Sequence, residues 1–244
     1  MRPKVSVILP TYNRCQLLAF AIQSIFDQSF KDWELIVIDD GSTDETTKLL
    51  TECSKLEPRL RFVTLEHKGL VSALHVGNEM AQADLIVKQD SDDLSLPNRL
   101  ERVYKEWKKT KADFIYHGMY QVFYDKTGRM RKIYISAQKI SDRILKEQYI
   151  SGAFSYTKEF ITENPYRMLE CSEDWMLIMD AYLRGKKIAM INEGLYDYAM
   201  RNDSNSKLGE KNGAYVRDEK KMRDILKKEY NINSFNYPNL KWRK

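Results

Sequence analysis

The chain is poor in cysteine and in glycine. Its three cysteines, Cys15, Cys53 and Cys171, are odd in number and far apart. They form neither a CxxC pair nor an even framework, which argues against a disulfide-stapled fold and points to a reducing compartment. The ten glycines of the 244 residues never fall as GxG, and no GxxxxGK(S/T) run occurs. The dinucleotide fingerprint and the phosphate loop are therefore both missing. The lack of G-x-S-x-G argues against an α/β-hydrolase. His67, His75 and His117 have no zinc spacing with nearby cysteine and read as ordinary surface or half-buried histidines. No apolar run approaches the roughly 18 residues of a membrane span. The first residues enter a strand pattern at once, so no leader is expected, and a cytoplasmic location is. Charge is not dominated by one sign: 40 basic and 35 acidic residues leave +5. That is too mild to imply nucleic acid. It suits an anionic ligand, or peripheral contact with an acidic membrane surface.

What is present is a core and a rhythm. Hydrophobic residues make up 43% and charged residues 31%, a composition that buries a core within one large domain. Val5 to Leu9 reads as a buried strand stopped by Pro10. Leu17, Leu18, Ala21, Ile22, Ile25 and Phe26 recur at helical spacing. Leu35 to Ile38 is a second strand. The turn "DDGSTDE" follows, where Ser42 or Thr43 can cap a helix. Leu60 to Leu65 is a third strand, Leu70 to Ala83 a helix, Leu85 to Val87 a fourth strand, and Pro97 opens a helix over Asn98 to Lys108. This alternation implies an α/β fold with a mostly parallel sheet and right-handed crossovers. Ligands of such sheets bind beyond the carboxyl ends of the strands, at the switch point of strand order. Three polar clusters stand there: "PTYNR" (Pro10 to Arg14), "DDGSTD" (Asp39 to Asp44) and "DSDD" (Asp90 to Asp93).

The second half is less regular. Asp113 to Tyr124 and Met130 to Ile135 read as a hairpin turned at "DKTG". Glu173 to Leu183 is a helix, and Lys187 to Ile191 and Leu195 to Met200 are short strands. Asp203 to Gly213 reads as a polar, mobile loop. Ala214 to Tyr230 is an amphipathic helix whose basic stretch, Arg217 to Lys228, reads as a solvated face. Trp107, Trp175 and Trp242 read as packing residues rather than sugar platforms.

"DSDD" allows three readings. It can be a solvated turn whose acids meet the positive end of the next helix. It can be a calcium loop, but Leu94 falls where an oxygen ligand is needed and Ser95 replaces the turn glycine, which excludes it. It can hold a divalent metal that bridges a diphosphate, since Mn²⁺ and Mg²⁺ take hard oxygens and share substrate phosphates. In an extended segment Asp90 and Asp92 point to the same side.

The ordered series decides among them. "VSVILPTYNR", "ELIVIDDGSTDET", "KGLVSALHVGNEMAQADLIVKQDSDDLSLPNRL" and "CSEDWMLIMDAYLRG" together resemble the inverting, nucleotide-sugar-dependent glycosyltransferases of family 2, which have the GT-A fold. The resemblance covers about residues 3 to 200 and divides the chain into a nucleotide-sugar half (1–110), an acceptor and catalytic half (111–210), and a C-terminal helix with a basic tail (211–244).

The resemblance implies roles by position. Pro10, Thr11, Tyr12, Asn13 and Arg14 match the loop that receives base and ribose. Asp40 matches the aspartate that bonds the base, commonly uracil. Gly69, Lys88 and Ser91 fall among the donor-binding positions. Asp90 and Asp92 match the DxD pair, Asp92 on the Mn²⁺ or Mg²⁺ and Asp90 nearer the ribose, with Asp93 left to cap or support. Asp174 matches the catalytic base, with Glu173 beside it. Arg201, in "GLYDYAMRNDSNS", matches a basic residue that closes over the donor. Two positions depart from the pattern: His75 stands where many relatives carry asparagine, and Lys88 where many carry arginine. The implied activity is transfer from a nucleoside-diphosphate sugar, UDP favoured, to a glycan or lipid-linked sugar acceptor. Two rivals are weighed against it. A sugar-1-phosphate nucleotidyltransferase needs a glycine-rich basic loop after the first strand, which "PTYNRCQLL" lacks. A catalytically inactive donor-binding subunit would not need Asp40, Asp92 and Asp174 together.

Overall fold

The structure, a computed structural model, describes residues 2–124, 127, 129–150, 152–201 and 205–232. Trp242, the basic tail and most of the "DKTG" turn lie outside the described residues. In chain order, β1 (Val5–Thr11), α1 (Cys15–Phe26), β2 (Trp33–Asp39), α2 (Thr46–Leu56), β3 (Leu60–Thr64), α3 (Leu70–Met80) and β4 (Leu85–Lys88) alternate as the spacing predicts. They are followed by β5 (Leu94–Ser95), α4 (Arg99–Thr110), β6 (Phe114–Tyr124), β7 (Met130–Ile135), a 3-10 turn at Asp142–Leu145 and β8 (Phe154–Thr157). Then come α5 (Lys158–Glu163), α6 (Glu173–Leu183), β9 (Ile188–Ala199), α7 (Asn205–Asn212) and α8 (Ala214–Tyr230).

One mixed sheet runs in the order β3-β2-β1-β4-β8-β6-β9-β5, with β7 added to β6. The first four strands are parallel. β8 then pairs antiparallel with both β4 and β6, and β9 pairs parallel with β6. The chain leaves β1 for β2 on one side and returns to β4 on the other. The switch point therefore lies between β1 and β4, and their carboxyl ends open side by side.

Period-2 alternation divides the core between the two faces of the sheet. Ile8, Ile36, Ile38 and Ile86 pack with Val71 and Leu74 of α3, Met176 of α6, and Met222 and Leu226 of α8. Val7, Leu9, Val37 and Val87 face Leu18 and Ile22 of α1 and Leu100 and Val103 of α4. Burying each such aliphatic side chain contributes about 1.5–3 kcal/mol. The fit is close at Gly77, where a Cβ would lie 2.6 Å from Ile8 and 2.7 Å from Ile38.

Several expectations are corrected. β1 does not stop at Pro10 but runs on to Thr11. The pairing with β4 ends at Ile8, so the missing N–H of Pro10 faces no ladder there. The start of α2 is served by neither Ser42 nor Thr43; Asp44 Oδ1 accepts the N–H of Thr46 at 3.0 Å. The two short strands near residue 190 are one strand, β9. β8, too short to show a pattern, was not anticipated, although it joins the two halves of the sheet. The stretch read as a polar loop contains the helix α7; residues 202–204 lie outside the described residues. His117 is fully buried rather than at the surface. The helix α8 is amphipathic as expected, burying Tyr215, Met222 and Leu226, and Asp218 is buried with them. The hairpin of β6 and β7 stands as read. Trp175 is a packing residue whose indole N–H donates to the Ile144 carbonyl at 2.7 Å.

Candidate active site

The carboxyl ends of β1 and β2 are tied to one another. Asn13, in the left-handed region at φ 49°, donates its N–H to Ser42 Oγ (2.8 Å) and accepts the Thr43 N–H (2.7 Å). Asparagine tolerates this conformation better than most residues. Asp39 accepts from the Ser42 N–H at 2.9 Å and from the Thr47 hydroxyl at 3.0 Å, so it fastens the turn. Thr11 is buried with its hydroxyl unpaired. Tyr12 is partly exposed and stacks on His67, ring centres 4.0 Å apart.

Asp40, buried just after β2, joins this turn to the start of α3. Its carboxylate accepts the N–H groups of Lys68 (2.9 Å) and Gly69 (2.8 Å) and meets His67 Nδ1 at 2.9 Å. Gly69 has φ +92°, a conformation that glycine adopts without strain and that leads into α3. Asp40 thus sits at a helix N-terminus, where acidic side chains are favoured. His75, the position that departs from the family pattern, points elsewhere and bonds the Tyr166 carbonyl at 2.9 Å.

The end of β4 carries the densest charge. Lys88 is buried, and its ammonium donates to Asp90 Oδ1 at 2.8 Å and to Asp174 Oδ2 at 2.9 Å. Burial opposes its charge, but Asp174, Asp90 and Glu173 outweigh that and hold its pKa well above the ordinary lysine value. Asp174 and Glu173 begin α6. Burial pushes Asp174 up to about 6, with Lys88 opposing; burial and the neighbouring Asp174 push Glu173 up to about 8. Two carboxyls this close and this buried resist ionising together, which holds both above the ordinary carboxylate range. Asp174 Oδ1 is buried with no hydrogen-bond partner. Gly152 lies against this carboxylate: a Cβ there would sit 2.6 Å from Asp174 Oδ2.

Asp92 stands apart from the Lys88 bridge. Its carboxylate lies 3.5 Å from Arg14, and burial followed by the Asp90 charge raises its pKa, while Arg14 and Arg201 pull the other way. Arg201 follows the end of β9 closely enough to act on Asp92, although it is far from it in sequence. Ser91 is buried. Among the described residues no three His, Cys, Asp or Glu side chains converge into a closed metal cage. An open site of one carboxylate, completed by water and ligand phosphates, is the arrangement Mg²⁺ and Mn²⁺ take. A partly buried carboxylate crowded by another carboxylate is chemically suited to such a cation.

Residues that the sequence reading missed hold the "DSDD" loop in place. The Tyr196 hydroxyl accepts the Asp90 N–H at 3.0 Å, and Asp93 Oδ1 accepts the Ala199 N–H at 2.8 Å. β5, just after the aspartates, pairs Leu94 with Asp197 and Ser95 with Tyr196. Beneath lies Arg99, fully buried, donating to Gln89 Oε1 (3.0 Å), Ser95 Oγ (2.9 Å), the Lys88 carbonyl (2.8 Å) and His117 Nε2 (3.0 Å). Its guanidinium also stacks 4.5 Å from the centre of the Tyr196 ring. Burial, then Arg99, drives His117 down to about 3, so it is neutral. Its Nδ1–H is thereby assigned to the Gly118 carbonyl, 2.8 Å away, which leaves Nε2 to accept from Arg99. One signal was available in the sequence: Arg99 shares the inward face of its helix with Leu100 and Val103, an unusual place for a cation.

Comparison with known proteins bears on the family and the fold. The sequence model described as Glycosyl transferase family 2 matches residues 6–164. Glycosyltransferase GlyG of Streptococcus pneumoniae is 28% identical over 222 residues, covering 84% of this chain and 73% of that one. The putative teichuronic acid biosynthesis glycosyltransferase TuaG of Bacillus subtilis is 28% identical over 206 residues, covering 83% and 81%. Other relatives are longer: the match to S. pneumoniae GlyA spans 32% of that protein. Among solved structures, S. aureus TarS 1–349 in complex with UDP superposes with a TM-score of 0.71 at 20% identity, covering 94% of this chain and 67% of that one. These neighbours establish the α/β fold of GT-A type. The family model spans more than half of the sequence, and the chain belongs to glycosyl transferase family 2.

Proposed function

We propose that the chain is an inverting, metal-assisted glycosyltransferase that moves a sugar from a UDP-sugar to a hydroxyl of a glycan or lipid-linked acceptor. The observation that carries this reading is the bridge from Asp90 through Lys88 to Asp174, which joins the DxD loop to the acid at the start of α6. The loops of Thr11 to Asn13 and Asp40 would take the nucleoside, and Arg14, Lys88 and Arg201 offer positive charge to the diphosphate. Asp92 would hold Mn²⁺ or Mg²⁺, which when bound neutralises charge on the leaving diphosphate. Asp174 would accept the proton of the acceptor hydroxyl as general base. That oxygen then attacks the anomeric carbon from the face opposite the diphosphate, and single displacement inverts the configuration. The unpaired Asp174 Oδ1 supports this role, because it leaves one oxygen available for the proton.

Named neighbours lend further support. One TarS structure contains UDP-GlcNAc, and a mannosyltransferase of Pyrobaculum calidifontis, TM-score 0.66, contains GDP-Man and Mn²⁺. TuaG is named for polysaccharide synthesis, which favours a cell-envelope glycan as acceptor. Among the described residues no helix is long and apolar enough to cross a membrane. A thermal-shift screen of nucleotide sugars with and without Mn²⁺ tests the reading. A donor-specific, metal-dependent rise is expected. A rise with UDP but no turnover on any acceptor would instead indicate an inactive binding subunit.

A further inference from the structure

Asp218 belongs to α8, in a stretch rich in lysine and arginine, yet it is fully buried. Its carboxylate accepts the backbone N–H groups of Glu170 (3.0 and 3.1 Å), Cys171 (2.9 Å) and Ser172 (3.1 Å). The Cys171 thiol adds a contact at 3.5 Å. These are the three residues immediately before Glu173. Consecutive N–H groups aimed at one anion form a fixed concave site for negative charge. Ser172 stands at the N-cap of α6 but makes no side-chain cap bond. The entry to α6 is therefore capped from a residue 46 positions later in the chain.

The rest of α8 reinforces that hold. Arg217 forms a forked pair with Glu170 at 2.8 and 2.6 Å. Near the far end of α8, Arg167 bonds both Asp180 of α6 and Glu229 of α8, and the Tyr230 hydroxyl donates to Asp180. Met222 and Leu226 are buried in the same core as Trp175, Met176 and Met179 of α6. The helix thus grips α6 near both of its ends.

We infer that Asp218 is a positioning residue for the transfer reaction: by gathering the N–H groups of residues 170–172 it fixes the start of α6 and holds Asp174 against Lys88. The inference rests on Asp174 acting as the base. It makes α8, which lies beyond the residues matched by the family model, part of the apparatus that sets the geometry of the reaction. Displacing a reacting group by about 1 Å can cost on the order of 10²-fold in rate.

Asp218→Asn keeps the shape but removes the charge and turns an amide toward the N–H groups. Hydrogen exchange at residues 170–172 should accelerate by about tenfold or more, because buried N–H groups lose their acceptor. Exchange in β1 and β2 should not change. With the UDP-sugar selected by the thermal-shift screen, kcat should fall on the order of 10²-fold, while the affinity for UDP with Mn²⁺ stays as in the wild type. Asp218→Glu, which restores the charge, should recover part of both effects, and it carries the test if Asp218→Asn does not fold. Wild-type exchange at 170–172 would overturn the anchor. Faster exchange with an unaltered kcat would overturn the positioning role. Failure of the base assignment has a different signature: Asp174→Asn then retains kcat whatever happens to exchange at 170–172.

Discussion

Lys88 Nζ and Asp174 Oδ2 are 2.9 Å apart, although 86 residues separate them in the sequence. The contact joins the end of β4 to the start of α6, and Asp90 shares the same ammonium. One buried cation therefore serves two carboxylates, with a third, Glu173, close enough to act on it.

Removing that cation should be severe. Lys88→Met leaves carboxylates buried without their partner, which costs about 3–5 kcal/mol. Urea unfolding near neutral pH checks this. The deficit should shrink as the pH falls and the stranded acids take up protons. A loss below about 1 kcal/mol, the range of a surface ion pair, would mean that the bridge contributes little.

Glu173 sets a pH dependence of stability. Its folded pKa, up to about 8, lies above the ordinary glutamate value, so between those two values the native state binds more protons than the unfolded chain. Stability from this group is then full below the ordinary range and is lost as pH rises through about 8. Glu173→Gln, which mimics the protonated acid, should flatten that fall in urea titrations taken at several pH values. An unchanged slope would place the proton elsewhere.

Asp92 tests the cation. Ligand at 100 times its Kd stabilises by about 2.7 kcal/mol. In the wild type the shift produced by UDP should grow when Mn²⁺ is added; in Asp92→Asn the metal-dependent part should vanish while the metal-free part remains. An undiminished Mn²⁺ effect in the variant would remove Asp92 from the metal.

Arg99 tests the support under the loop. Arg99→Met deletes the guanidinium that holds Gln89, Ser95, His117 and the Lys88 carbonyl. Denaturant unfolding should show a loss of about 1–3 kcal/mol for each buried acceptor left unpaired, with reduced donor affinity as the "DSDD" loop loosens. Wild-type donor affinity would show that β5 and Tyr196 suffice.

The first half of the fold was legible because its parallel strands are short, mostly apolar runs and its helices each keep one apolar face. Val5 to Leu9 and Leu35 to Ile38 could hardly be anything else. The second half resisted for physical reasons. Phe154 to Thr157 is too short to show a period, and its place between β4 and β6 depends on partners distant in sequence. The loops after β1, β2 and β4 were legible as polar clusters at strand ends, and the structure places them at one switch point. Their supports were not. Tyr196, Arg99 and Asp218 act on the site through contacts with Asp90, Lys88 and Ser172, which lie 106, 11 and 46 residues away, and only Arg99 carries a local mark, its place on the apolar face of α4.

The central claim is that Asp174 is the base of a sugar transfer, and the most direct measurement is the rate of sugar transfer by Asp174→Asn from the UDP-sugar selected by the screen. A loss of about 10²–10⁴-fold is expected, with UDP affinity retained. Transfer at the wild-type rate would contradict it.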